Sequence, residues 1–198
     1  MDWQQELDEL QRRQALAREL GGADKIERQH KGGRLTVRER IDHLLDADSF
    51  QEIGGLAGQF SYDEDGNMVS HAPTNCVMGR GEIDGRPVVV SGDDFTLRGG
   101  SADAANTVKA KYPEQMANEL RLPIVRLIEG SGGGGSVRTI ETRGRANLPG
   151  GLANTSGFDL LALNMEVVPV VALGLGSVAG LGAARMAASH YSVLVKEI

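Results

Sequence analysis

This 198-residue chain lacks most of what would mark a stapled, membrane-bound or nucleic-acid-binding protein. It has one cysteine, Cys76. A single thiol excludes an internal disulfide framework and fits a reducing compartment. Cys76 reads best as a small buried apolar residue. Aromatic residues make up 4%, too few to build base-stacking platforms. The net charge of −6 argues against general nucleic-acid binding. The most apolar stretch, residues 167–188, is interrupted by Pro169 and several glycines, which makes it a poor membrane span. The first residues, Met-Asp-Trp-Gln-Gln-Glu-Leu, are polar and acidic, unlike a secretory signal or a basic transit peptide. The expectation is a soluble, cytoplasmic, globular protein with neither nucleic acid nor membrane as partner.

What is present in excess is glycine, with 27 residues. Its placement matters more than its number. The run Leu-Pro-Ile-Val-Arg-Leu-Ile-Glu at 122–129 leads into Gly-Ser-Gly-Gly-Gly-Gly at 130–135. A second run, Val-Val-Pro-Val-Val-Ala-Leu at 167–173, leads into Gly-Leu-Gly-Ser-Val-Ala-Gly-Leu-Gly-Ala-Ala-Arg at 174–185. Each reads as a buried strand that ends in glycine and opens a helix of small residues. Such a turn leaves backbone N–H groups bare. Bare amides can hold an oxyanion without a catalytic side chain, at about 3 kcal/mol per donor. The order strand, glycine loop, helix, strand, glycine turn, helix, strand predicts a largely parallel α/β sheet. The last predicted strand, residues 191–195, lies close to the end of the sequence, so the chain is expected to be part of a longer protein, truncated at the C-terminal end of its domain.

The first part of the chain predicts three helices. One covers about residues 2–20 and stops at Gly21-Gly22, with Trp3, Leu7, Leu10, Leu16 and Leu20 near helical spacing. A second covers 24–30. The third starts at a capping box, Thr36-Val-Arg-Glu39, and presents Ile41, Leu44 and Leu45. Residues 11–40 hold nine Lys/Arg against four Asp/Glu, a positive excess of five. Two readings stay open for that excess: solvated helix faces, or a ligand carrying phosphates. Strands are predicted at 76–83 and 86–90 around a hairpin turn at Asp84-Gly85. Residues 62–74 read as a polar loop. A long helix is predicted from Ser101 to about Leu120, with Pro113 expected to kink or interrupt it.

Several familiar chemistries are absent. Gly135 is followed by Ser-Val rather than Lys-Ser/Thr, so the first glycine loop is not a phosphate-binding P-loop. The second has only two glycines in register for a dinucleotide fingerprint. There is no nucleophile elbow, and no metal-ligand spacing is present, so no metal is expected. His30, His43, His71 and His190 are scattered, each better read as a surface or satisfied histidine than as a base; His190, just after the second glycine turn and its helix, is the least ordinary.

Taken in order, three segments resemble a known family. They are Leu-Thr-Val-Arg-Glu-Arg-Ile-Asp-His-Leu-Leu-Asp at 35–46 with Ser-Phe-Gln-Glu at 49–52, then Gly-Arg-Gly-Glu-Ile-Asp-Gly-Arg-Pro-Val at 79–88 followed by Asp-Phe-Thr-Leu-Arg-Gly-Gly-Ser at 94–101, and finally Ala-Gly-Leu-Gly-Ala-Ala-Arg at 179–185. These are similar to the carboxyltransferase (beta) subunits of biotin-dependent acyl-CoA carboxylases of the propionyl-CoA and methylcrotonyl-CoA type. The resemblance covers about residues 36–195. It implies a crotonase-like (ClpP/crotonase) α/β spiral of ββα units. Here that spiral occupies residues 49–198, preceded by a helical extension at 1–48, and corresponds to the N-terminal of two such domains.

The implied reaction is carboxyl transfer from carboxybiotin to the α-carbon of an acyl-CoA, through a thioester enolate. Biotin would arrive on a separate carrier or biotin carboxylase subunit, facing the C-terminal carboxyltransferase domain of another subunit in a homo-oligomer. Matching Ala179-Gly180-Leu181 to the family's Ala-Gly-Gly assigns the enolate-binding N–H groups to Gly180 and Leu181. The matched motifs also assign acyl-CoA or biotin contacts to Arg38, Phe95, Gly99, Gly100, Gly132, Gly133, Gly134 and Arg138. Arg143 and Arg145 are further candidates for CoA phosphates or an acyl carboxylate. Two departures stand out. Leu181 replaces a glycine and would narrow the acyl pocket. The first glycine loop replaces the family's Asp-Ser-Gly-Gly-Ala-Arg. The chain alone is expected to be inactive in carboxylation, because the opposing domain is missing. Two alternatives remain: a biotin-independent decarboxylase of the same fold, and a non-catalytic CoA-binding or assembly fragment.

Overall fold

The computed structural model describes residues 3–101, 107–130 and 158–196, together with Glu141 and Gly144. Three helices come first: α1 (Gln4–Arg18), α2 (Ala23–Lys31) and α3 (Val37–Leu44). Strands β1 (Gln51–Glu52), β2 (Gly58–Tyr62), β3 (Met68–Pro73), β4 (Cys76–Ile83) and β5 (Arg86–Asp93) follow, then a short 3₁₀ turn (Arg98–Gly100). The remainder comprises α4 (Thr107–Leu120), β6 (Ile124–Gly130), α5 (Phe158–Val167), β7 (Val170–Val178), α6 (Leu181–Ala187) and β8 (Tyr191–Leu194).

Six strands form one sheet in the order β1-β4-β5-β6-β7-β8. β1, β4 and β5 pair antiparallel; β5, β6, β7 and β8 pair parallel. The turn between β4 and β5 is the expected tight one: Asp84 and Gly85 both take positive φ, 51° and 71°, which matches the twist of the flanking strands. α3 starts at the expected capping box, with Thr36 and Glu39 bonding reciprocally.

β6 is buried along its whole length, and its side chains alternate between two faces. Val125 and Leu127 join Leu20, Val37, Ile41, Leu45 and Val90 in a core beneath the N-terminal helices. Ile124 joins Val89, Met116, Ala117 and Val170 under α4, and Ile128 meets Ala172 and Met186 of α6. The N-terminal helices thus cover one face of the sheet and α4 to α6 the other.

Three expectations change. The segment 62–74 is no loop: its flanks form the β2–β3 hairpin, and Asp63 Oδ1 ties the turn by accepting from the Asp65 and Asn67 amides at 3.1 and 2.8 Å. The apolar stripe of α1 stays in solvent at one end, with Trp3 60% and Leu7 49% exposed, whereas Leu20 is buried. α1 instead grips the hairpin through cations: Arg12 Nη2 donates to the Met68 carbonyl at 3.1 Å, and the Arg13 guanidinium lies 5.1 Å from the Phe60 ring. Finally, α4 runs through Pro113 without a break. Its buried Glu114, Met116 and Ala117 pack on the sheet, and tertiary packing outweighs the missing amide bond. Among the described residues no helix is long and apolar enough to cross a membrane.

Candidate functional site

In an open parallel sheet, ligands bind outside the carboxyl ends of the strands. Three segments meet there in this chain. After β5 comes residues 94–100, after β6 comes Gly130, and after β7 comes the turn into α6. Gly100 (φ 67°) presses its backbone against Glu129 and Gly130 so closely that a Cβ at residue 100 would collide with the Glu129 carbonyl. The Gly130 carbonyl in turn accepts from the Ala179 amide at 3.1 Å. The two loops flanking β6 are therefore locked to it main chain to main chain.

Gly180 is the residue before α6 and takes φ 55°, ψ −124°, a conformation essentially reserved for glycine. Among the described residues, no hydrogen bond takes up the N–H of Gly180 or Leu181. Gly180 is exposed and Leu181 half-buried. These two amides follow the end of β7, a parallel strand that is buried at alternate positions over its first half.

The other expected residues fall in three places. Gly99 and Gly100 lie in the 3₁₀ turn beside Gly130. Phe95 and Arg38 lie toward the N-terminal helices, Phe95 beneath the Arg34 guanidinium at 5.1 Å. Arg38 is bound bidentately by Glu52, at 2.8 and 3.1 Å, so both of its terminal nitrogens are already engaged. Gly132, Gly133, Gly134, Arg138, Arg143 and Arg145 lie outside the described residues.

Asp94, within the same loop, was not singled out by sequence. It is fully buried, and burial raises its carboxyl above the usual range even though the Thr96 hydroxyl and amide bond to Oδ1 at 2.6 and 2.9 Å. Thr96 Oγ1 also accepts from the Gly21 amide at 2.9 Å, fixing the loop to the end of α1.

Sequence reasoning also missed a buried charge cluster directly under the strand ends. Glu129 accepts from Gln29 Nε2 at 3.0 Å, pairs with Arg34 Nη1 at 3.4 Å and pairs with Arg40. The positive excess at 11–40 is thus partly internal: Arg34, Arg38 and Arg40 answer carboxylates of the sheet region. The one available signal was that β6 carries two charges, Arg126 and Glu129, among apolar residues. On the opposite face, fully buried Arg126 binds Glu114 at 2.7 and 2.9 Å. Arg185 of α6 grips Asp93 at 2.9 and 3.1 Å.

Three further chemistry-bearing groups, His190, Cys76 and Lys109, are occupied or suppressed. His190 accepts from the Val170 amide at 3.1 Å through Nδ1 and donates from Nε2 to the Met165 carbonyl at 3.0 Å. It is a satisfied histidine bracing β7. Burial, with help from Asp93, pushes the Cys76 thiol up to about 11. Burial also lowers the Lys109 ammonium. Among the described residues no group of His, Cys, Asp and Glu is placed to hold a metal ion.

Comparison with known proteins gives the family and the fold. The carboxyl transferase domain model matches residues 28–197. The propionyl-CoA carboxylase beta chain of Cereibacter sphaeroides is 31% identical over 195 residues, covering 96% of this chain and 36% of the relative. Among solved structures, a single-chain, multi-domain long-chain acyl-CoA carboxylase superposes with a TM-score of 0.75 at 28% identity, covering 96% of this chain and 19% of that one. A transcarboxylase 12S structure described as a hexamer, with methylmalonyl-coenzyme A bound, gives 0.74 at 24% identity, covering 98% and 36%. The chain therefore spans about a third of the length of the curated relative it matches. Its mixed α/β sheet is the crotonase-like fold of these enzymes. With its glycine turns, parallel strand ends and matched residues taken together, the chain belongs to the carboxyl transferase domain family.

Proposed function

We propose that this chain is the acyl-CoA-binding part of a carboxyltransferase that moves a carboxyl group from carboxybiotin to the α-carbon of an acyl-CoA. The observation that carries the reading is the N–H pair of Gly180 and Leu181 after the end of β7, unpaired among the described residues, in a member of this family. Those donors stabilise the charge that develops on a thioester oxygen, at about 3 kcal/mol each. They bind the enolate more tightly than the neutral thioester, which is what lowers the barrier. A donor set made of main-chain amides fits a reaction whose base is delivered from outside the chain.

Carboxybiotin, on a separate carrier or biotin carboxylase subunit, would supply both the carbon dioxide and the base. Gly99, Gly100, Gly132, Gly133 and Gly134 would contact the incoming thioester, and Arg138 would meet the CoA phosphates. Leu181 would narrow the acyl pocket. The opposing wall would come from the C-terminal carboxyltransferase domain of a neighbouring subunit in a homo-oligomer; a bound CoA thioester and hexamer assembly are features of the transcarboxylase relative. The cytoplasm suits a chain with one buried thiol.

The test is carboxylation by the complete enzyme with biotinylated carrier, run across acetyl-, propionyl- and longer acyl-CoAs. Turnover that requires the carrier supports the reading. Carrier-independent release of carbon dioxide from a malonyl-type thioester would replace it with a decarboxylase.

A further inference from the structure

β6 and β7 keep a regular parallel register from Ile124 opposite Val170 to Ile128 opposite Gly174; then Gly130 faces Val178. Two steps along β6 are matched by four along β7, so residues 175–177 bulge from the ladder. A bulge strips main-chain groups of ladder partners, and its shape must be held by other contacts.

Those contacts come from one buried carboxylate and its cations. Arg40 Nη2 donates to the Leu175 carbonyl, inside the bulge, at 3.1 Å. The same guanidinium pairs through Nη1 with Glu129 Oε2. Glu129 Oε1 fills the space that a Cβ on Gly176 would need. The carboxylate is thus seated in the hollow of the bulge, with Gln29 and Arg34 closing it from the N-terminal helices. Gly180 and Leu181 follow one residue after the end of β7, and that residue, Ala179, is tied to the Gly130 carbonyl. The direction of the two free amides is set by how the strand leaves the bulge.

We infer that Glu129, held by Arg40, Arg34 and Gln29, is a positioning residue that shapes the β7 bulge and so aims the Gly180 and Leu181 amides at the thioester oxygen. The inference rests on the carboxyl-transfer reading for its substrate class. Misplacing a donor by about 1 Å costs on the order of 100-fold in rate. The cost falls on the enolate more than on the bound thioester, because only the enolate carries full charge at that oxygen.

The experiment uses the complete, assembled enzyme and two ligands: an acyl-CoA, and a CoA analogue whose nitronate mimics the enolate. Glu129→Gln removes the charge. Arg40→Lys keeps the charge pair and removes the bridge to Leu175, and it answers the question if Glu129→Gln does not fold. The expected result is nitronate affinity and kcat lowered about tenfold or more, with acyl-CoA affinity and KM within about twofold. Variants that bind the nitronate like the parent, or that lose both ligands equally, overturn the inference. A parent enzyme that prefers the nitronate but transfers no carboxyl group removes the carboxyl-transfer reading and leaves the positioning role to the variants. A parent with no preference for the nitronate removes both.

Discussion

β6 sends Arg126 to one face of the sheet and Glu129 to the other, and both side chains are wholly buried. The two clusters look like mirror images but join different things. Arg126 and Glu114 share two bonds, Asn164 donates to Glu114 at 2.8 Å, and Arg126 Nη1 donates to the Arg185 carbonyl at 3.0 Å and to that of Ala188. A cation at the C-terminal end of α6 also complements the helix dipole. This cluster therefore ties α4, α5 and α6 to the strand. Glu129 ties two N-terminal helices and the turn between them to a bulge at the strand ends. One cluster joins regular elements, reaching α6 at its C-terminal end; the other sits in the bulge that precedes Gly180 and Leu181 in the chain. Losses on the helix face should appear in stability, and losses on the N-terminal face should appear in turnover.

The largest effect expected is on the helix face. Arg126→Ala leaves the Glu114 carboxylate uncompensated in a buried site and should cost about 3–5 kcal/mol in urea unfolding. Replacing both partners by methionine should recover at least half of that, because the pair removed together leaves no orphan charge. A single-variant loss under about 1 kcal/mol would erase the contrast between the faces.

Next comes the turn itself. Gly180→Ala forces a Cβ into φ 55°, ψ −124° and should cost about 1–3 kcal/mol. In the complete enzyme, steady-state kinetics should show kcat lowered on the order of 10- to 100-fold as a donor shifts. Normal turnover in a folded Gly180→Ala enzyme would remove these amides from the mechanism.

A smaller effect belongs to α3, which carries Arg40. Thr36→Ala removes the cap seen at Glu39 and should lower stability by about 1 kcal/mol in thermal or urea melts.

The smallest is a pH dependence. The hydrogen bond to His30, then those from Thr36, lower the Glu39 carboxyl from 4.5 to about 2. A depressed carboxyl stabilises the fold above its unfolded value, and that contribution disappears as pH falls from about 4.5 through about 2. His30→Ala should flatten this acid limb in melts taken across the window, while Arg126→Ala should leave its shape alone.

Much of the architecture was legible because it is local. Asp84-Gly85, the Thr36 capping box, and the alternation of apolar runs with glycine turns each encode geometry within a few residues. The β2–β3 hairpin escaped notice because its strands bury only Met68 well and are mostly exposed, so no alternating apolar pattern marks them. The partners of Arg34, Arg38 and Arg40 escaped because ion pairs link residues 14, 89 and 95 positions apart, and no spacing rule reaches so far. Of the expected site, Gly180, Leu181, Gly99 and Gly100 stand at the strand ends, Phe95 and Arg38 stand beside the N-terminal helices, and Gly132, Gly133, Gly134 and Arg138 lie outside the described residues.

By itself the amino-acid order determined the parallel α/β layering, the glycine turn after β7 and the membership in a carboxyl transferase family, since periodicity, turn chemistry and motif order are properties of neighbouring residues. Only the tertiary structure decided that Glu129 meets Arg40 within a bulge, that Gly176 must lack a side chain, and that Arg126 caps α6. Those facts depend on which strands lie side by side and in what register, and that is settled by packing across the whole sheet.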